Sequence, residues 1–404
     1  MLSAGFFRSC RAHLVALLLL LQPLQVQAAM PDPIRIGVSG PFTGGSSPMG
    51  ISMREGIRIA TAEINASGGV LGRPFELVER DDEARNERGT LIAQEFIQRE
   101  HVVAGLGIVN TGVALASQRH YQEARIPMLT AVATGSLITK QFLPPEHPDN
   151  FIFRVSANDT LQAKMIVEEA VLRRRFTRIA IFHDATNYGL LGRLDLQHAL
   201  EEHNIRPVTV ERFHLRQVDM TAQLQRARDA GAQVILTYGI GPELAQIANG
   251  MARMNWSVPL VGSWTLAMSN FIDNAGPNAE GARMPQTFIA EPTTPRRRAF
   301  LEAWRRATGT ERIPVPPAAA QGYDSVLLLA AAIRQAGSTD GDRIRDALEN
   351  LRNPVEGVIM TYDRPFSRDS HETFTASQHI HMGEVRKGLI VFAYDEDRRR
   401  AVRQ

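Results

Sequence analysis

A single cysteine, Cys10, in a chain of 404 residues leaves little room for thiol chemistry. It precedes the apolar run Leu14–Leu21 instead of following it, so it is not placed for lipid attachment at a cleavage point. Beyond it there is no thiol, which excludes disulfide staples, a cysteine nucleophile and a cysteine-ligated metal. Long apolar runs are missing as well, because Leu14–Leu21 falls far short of the ~20 residues that a membrane span needs. With Arg8 and Arg11 before that run and the small residues around Val26-Gln27-Ala28 after it, residues 1–28 read as a cleaved secretory signal. Export without disulfides fits a soluble bacterial periplasmic protein held together by its own cores. An excess of one charge is also lacking. Setting aside Arg8 and Arg11 leaves 43 basic side chains, as many as the 43 acidic ones, which argues against nucleic acid as a partner. The runs Arg173–Arg175, Arg296–Arg298 and Arg398–Arg400 read as solvated helix faces and a polar tail.

Signatures of catalysis are missing too. There is no phosphate-loop GK[ST], no HExxH and no GxSxG. GVSGPFTGG has the wrong spacing for a dinucleotide fingerprint, and AGLGIVNTG lacks its third glycine. His379 and His381 read as alternating on a strand and form an HxH pair without an evident third ligand, so no metal site and no cofactor are expected. Asp81 and Asp82 are adjacent on a strand and point to opposite faces, which suits a cap or a closing contact better than an acid–base pair.

What the chain has is alternation. Val102–Val109 is a short buried strand, Val113–Arg125 an amphipathic helix and Ile126–Ala131 a second buried strand. Parallel strands joined by one helix end at the same sheet edge, where open α/β folds bind ligands. Asn110, Thr111 and Gly112 lie at the first end, and Val132, Ala133 and Thr134 at the second. Small hydroxyl-bearing residues there suit a carboxylate or an amide oxygen, although Thr111 serves equally well as a helix cap. Upstream, Ile34–Val38, a helix from about Gly50 to Asn65 stopped by Ser67-Gly68-Gly69, and FELVERDDE extend the same pattern. IFRVSANDT reads as a crossing strand, after which a second strand–helix series runs to about Met284. Two doubly wound α/β lobes with a cleft between them follow, the C-terminal part returning to complete both. Tyr188, after RIAIFHDATN, is placed on a loop that reaches the cleft.

The segments IRIGVSGPFTG, GIRIATAEINASGGVLGRPFELVERDDE and RIAIFHDATNYG, with Thr111 and Val132–Thr134, resemble the leucine/isoleucine/valine-binding proteins, periplasmic receptors of branched-chain amino-acid ABC transporters. The resemblance covers essentially the whole chain after the signal. It implies a type I periplasmic-binding-protein fold with a three-crossing hinge. The lobes are expected at 32–154 with 285–370, and at 155–284 with 371–404. The resemblance further implies a non-catalytic receptor that closes on a small ligand and delivers it to a membrane permease.

Thr111 matches the family's lobe-one serine, and Val132 and Thr134 match its carboxylate contacts. Tyr188 matches a ligand-facing tyrosine of the second lobe, and Met49 takes a position in the first loop that is aromatic in some members. Ile240 stands where amino-acid binders have a tyrosine and Trp264 where they have the glutamate for the ligand ammonium. Those two departures favour a carboxylic acid or amide with an apolar or aromatic tail over a zwitterionic amino acid, unless another acid such as Asp184 or Asp324 reaches the ligand. A sensor reporting to a regulator or chemoreceptor is the alternative use of the same fold, and a two-domain α/β enzyme a more remote one.

Overall fold

The computed structural model describes residues 32–402, so the signal segment expected at 1–28 lies outside them. The first series is β1 (Ile34–Gly40), α1 (Ser47–Ala66), β2 (Phe75–Asp81), α2 (Asn86–Gln98), β3 (Ala104–Gly107), α3 (Thr111–Ala124), β4 (Met128–Thr130) and β5 (Ile152–Arg154). These strands form one parallel sheet in the order β2-β1-β3-β4-β5. Ile34, Ile36 and Val38 of β1 are fully buried, as a strand covered by helices on both faces requires. IFR is therefore an edge strand of this sheet before it becomes a crossing. The order reverses between β1 and β3, which opens a crevice at their C-terminal ends.

The second series is α4 (Asp159–Val167), β6 (Ile179–Asp184), α5 (Asn187–Glu201), β7 (Thr209–Phe213), α6 (Thr221–Asp229), β8 (Val234–Tyr238), α7 (Gly241–Arg253), β9 (Leu260–Gly262), α8 (Ser269–Ala275) and β10 (Arg283–Gln286). The chain then forms α9 (Pro295–Thr308), α10 (Pro316–Ala336), α11 (Gly341–Glu349), the short strands β11 (Val355–Glu356) and β12 (Thr361–Tyr362), β13 (His381–Arg386), β14 (Leu389–Phe392) and α12 (Asp395–Val402). The second sheet runs β14-β13-β10-β9-β8-β6-β7, with β13 and β14 antiparallel additions at one edge. Its order reverses between β6 and β8.

α10 returns to the first sheet's side and packs along α1 through two glycines. A Cβ at Gly56 would lie 2.0 Å from Ala319 O, and one at Gly322 would lie 2.4 Å from Met53 O, so the two backbones touch where no side chain fits. Three segments pass between the sheets: 155–158, 287–294 and 373–380. The first and third run side by side, joined by Arg154 N–H to His371 O (2.9 Å) and Thr373 N–H to Arg154 O (3.2 Å).

Several sequence-based expectations change. Arg297 is buried, donating to Ile359 O at 3.2 Å with its guanidinium over the Phe288 ring, because the loop before β12 closes over α9. His379 lies in a helical turn and only His381 in β13, so the pair does not alternate on a strand. Tyr188 belongs to the first turn of α5 instead of a loop. Asp81 accepts from Phe42 N–H (2.9 Å) and Thr43 Oγ (2.7 Å), and so braces the β1–α1 loop. Among the described residues no helix is long and apolar enough to cross a membrane, and no group of three acids or histidines is placed to hold a metal.

Candidate functional site

The two reversal points face each other. At the first, Asn110 precedes α3 and Thr111 is its first residue. The Asn110 side chain makes no cap; its amide nitrogen donates to Ser46 Oγ at 3.1 Å, and its Oδ1 has no partner. Thr111 is only 1% exposed, and its Oγ1 also lacks a partner. Its hydroxyl therefore does not cap the helix, which settles one of the two readings left open by the sequence. Ile108, just upstream, has φ 59°, a left-handed conformation that a β-branched residue adopts only under strain. That twist carries the chain from β3 into the turn that presents Thr111.

The loop after β4 lies against Thr111, close enough that a Cβ at Gly135 would sit 2.3 Å from Thr111 Cγ2. Ala133 donates its N–H to Ile108 O at 3.0 Å and accepts from Ser156 Oγ at 2.9 Å. Its N–H is thus spent on the loop itself, which corrects the expectation that it faces a ligand. Arg154, with no exposed surface, holds Thr134 O (2.9 Å) and Gly135 O (2.6 Å) and pairs with Glu372 at 2.5 Å. The loop is fixed from behind by a charge that sits in the crossings.

From the other sheet come Tyr188, Ile240 and Trp264, all nearly buried. The Tyr188 hydroxyl donates to Ser263 Oγ at 2.6 Å, and its ring lies 5.3 Å from that of Tyr238. Trp264 begins a helical turn directly after β9, with its N–H on Gln162 Oε1 at 3.1 Å. Ile240 immediately precedes α7 and is packed in the core, as is Met49 in the first turn of α1; neither lines the cavity beside Trp264. The elements bearing these residues meet across the cleft. Asn270 Nδ2 donates to Gly45 O at 2.8 Å, and a Cβ at Gly112 would lie 3.1 Å from Asn187 Oδ1. The N-termini of α3 and α5 therefore converge, and both turn their positive ends toward the space between them.

Of the two acids named as possible ammonium partners, Asp324 is committed elsewhere, whereas Asp184 has both of its Thr186 hydrogen bonds on Oδ1 and keeps a buried Oδ2 without a partner. Asp324 is committed to Val358 N–H (2.7 Å), Ile359 N–H (3.0 Å) and the Tyr362 hydroxyl (2.9 Å), bracing the loop around β12. Asp184 receives Thr186 N–H at 2.8 Å and the Thr186 hydroxyl at 2.5 Å, fixing the turn into α5.

A further acid beside the cleft is Asp159, the first residue of α4, which the sequence alone did not single out. It has no exposed surface, and its Oδ2 has no partner. Burial pushes its pKa up to about 8, opposed by a hydrogen bond from Thr134 and reinforced by the charge of Asp195. Tyr238 donates to the Asp159 carbonyl at 3.2 Å, and the same carboxyl helps raise the pKa of both Tyr188 and Tyr238. The helix cap is supplied by Asn158, whose side chain accepts from Leu161 N–H at 2.9 Å, so the Asp159 carboxyl is not used as a cap.

The arrangement joins an unpartnered hydroxyl and two helix N-termini, which suit an anion, to a buried unpartnered carboxyl oxygen, which suits a cation or a hydrogen-bond donor. Around them stand Tyr188, Tyr238 and Trp264. Residues 33–388 match the family model described as periplasmic binding protein. A Leu/Ile/Val-binding protein homolog of Brucella abortus is 26% identical over 327 residues, 81% of this chain and 84% of that protein. The fold superposes on a type 1 periplasmic binding protein of Bordetella pertussis (TM-score 0.80, 25% identity, 89% of this chain and 99% of that one). It also superposes on a leucine binding protein of Thermotoga maritima (TM-score 0.78, 24% identity, 89% and 98%). The chain belongs to the periplasmic binding protein family, in the type I group represented by the leucine/isoleucine/valine-binding proteins.

Proposed function

We propose that this protein is the periplasmic receptor of an ABC importer, binding a small amino acid in the cleft and presenting it to a membrane permease. The observation that carries the ligand class is Asp159: a fully buried carboxyl with an unpartnered oxygen, hydrogen-bonded to Thr134 and placed in the second lobe's aromatic cluster. A ligand ammonium taken from water loses several kcal/mol of solvation unless a carboxylate replaces it, and Asp159 meets that need where Trp264 does not. Thr111 and the end of α3 hold the ligand carboxylate, with Asn110, Val132 and Thr134 shaping that side. Tyr188 and Trp264 contact the apolar body, and Met49 and Ile240 back the wall from opposite sides of the cleft. The two lobes divide at 154/155, 284/285 and 370/371 and turn about the three crossings.

A second reading is supported by the pKa of about 8 at Asp159. Neutral at pH 7, that carboxyl donates a hydrogen bond and suits a carboxylic acid or amide with an apolar or aromatic tail. Calorimetry with leucine and its deaminated analogue, 4-methylpentanoate, separates the two. Tighter binding of leucine, strengthening as the pH rises toward 8, supports the amino-acid reading; tighter binding of the analogue overturns it.

A further inference from the structure

Where the first turn of α9 meets the β11–β12 hairpin there is a pocket of about 150 Å³ that shares no wall residue with the cleft. It has room for about five waters, and so for one phosphate or sulfate. Thr294, Arg296, Arg297, Glu356 and Thr361 are among its walls. Thr294 Oγ1 already caps α9, accepting from Arg297 N–H at 3.2 Å, so the donors left over in the pocket are those of the guanidinium groups.

Arg297 is 1% exposed, yet no carboxylate pairs with it among the described residues. Of the fork of N–H donors on its guanidinium, one goes to Ile359 O at 3.2 Å and one to Thr293 Oγ1 at 3.3 Å, both neutral acceptors. Asp324 and Glu291 act on the charge only from a distance, and burial pulls its pKa down against them. Both acids are occupied elsewhere: Asp324 by the β12 loop, Glu291 by Arg398 at 2.8 Å. The Phe288 ring, 5.3 Å from the guanidinium, offsets little of the cost of burying a cation. Arg154 shows what an equally buried arginine has when it is paired, for it meets both oxygens of Glu372 at 2.8 and 2.5 Å. Arg296 repeats the deficit: it donates to the Tyr323 hydroxyl at 3.1 Å, and its buried Nε has no partner. Against these two cations the pocket sets one carboxylate, that of the exposed Glu356.

We infer that this pocket is a site for a small tetrahedral oxyanion, inorganic phosphate or sulfate, held by Arg296 and Arg297 with the hydroxyls of Thr294 and Thr361 as further donors. Such an ion supplies the negative charge that Arg297 lacks. Because Thr293 and Thr294 end the second crossing, an occupied pocket also ties that crossing to the β11–β12 hairpin.

The test is titration calorimetry and thermal unfolding of the protein without residues 1–28, with no cleft ligand added. Phosphate and sulfate are the probes, and sodium chloride at matched ionic strength is the control. Phosphate or sulfate should bind saturably and raise the melting temperature where chloride does not. Arg297→Met should weaken that binding at least about tenfold, because charge-assisted hydrogen bonds are lost. Arg296→Met gives the same readout should Arg297→Met fail to fold. Glu356→Gln, which removes the competing carboxylate, should tighten binding. Absence of saturable binding by both probes, a chloride response equal to theirs, or an affinity unchanged in both arginine variants overturns the site.

Discussion

Asp159 sets a pH dependence that belongs to one side chain. Its pKa stands at about 8 in the folded protein against an ordinary value of 3.8, so the folded state holds a proton there that the unfolded state releases above about pH 4. The stability this group contributes is full below pH 4 and is lost progressively as the pH climbs toward 8. Asp159→Asn removes the cost of ionising a buried group. In thermal unfolding of the unliganded proteins, the advantage of the variant should therefore grow between pH 5 and pH 8 and then level off. A constant difference across that range would show that the carboxyl is not buried as described. Thr111, Thr134, Tyr188 and Trp264 were singled out in the sequence because each follows the end of a predicted strand, and the fold brings strand ends together. Asp159 was not, since it sits at the start of a helix after a crossing, where an acid is ordinarily a solvated partner of the helix dipole.

Elements were read with more success than their edges. The unbroken strand–helix alternation specified both sheets, and Met53, Ile57, Ala60 and Ile64, spaced as one stripe of α1, are all buried on its inner face. What the pattern did not reveal was the partner of that face, because α10 lies more than two hundred residues downstream and nothing local ties the two. Their contact has a sharp requirement. Gly56→Ala would press a methyl group into Ala319 O, a backbone atom that cannot rotate away, and the helices would have to part. Overpacking of this kind costs about 1–3 kcal/mol. Urea unfolding should show a loss in that range or above it, and parental stability in the variant would mean that the helices are not in backbone contact.

At the scale of the whole molecule the two sheet-bearing lobes touch through Asn270 and Gly45 and through the facing ends of α3 and α5, and among the described residues three short segments run between the sheets. On the proposed function, a ligand bridging Thr111 and Asp159 would add contacts that exist only when the cleft is shut, and binding would shift the population toward the shut form. Small-angle scattering should register a smaller radius of gyration with saturating ligand than without. An unchanged radius at saturation would rule out closure as the binding mechanism.

The meeting of α1 with α10 also bears on the order in which the chain is made. Residues 47–66 emerge early, but the surface they bury against is not synthesised until residues 316–336 appear. For most of translation the apolar face of α1 has no cover, and the first lobe stays incomplete until four-fifths of the chain exists. Contacts so distant in sequence form late. For a chain proposed to leave the cytoplasm, that lateness is useful: a polypeptide still waiting for its own C-terminal part is one that can be threaded through a membrane channel before it locks.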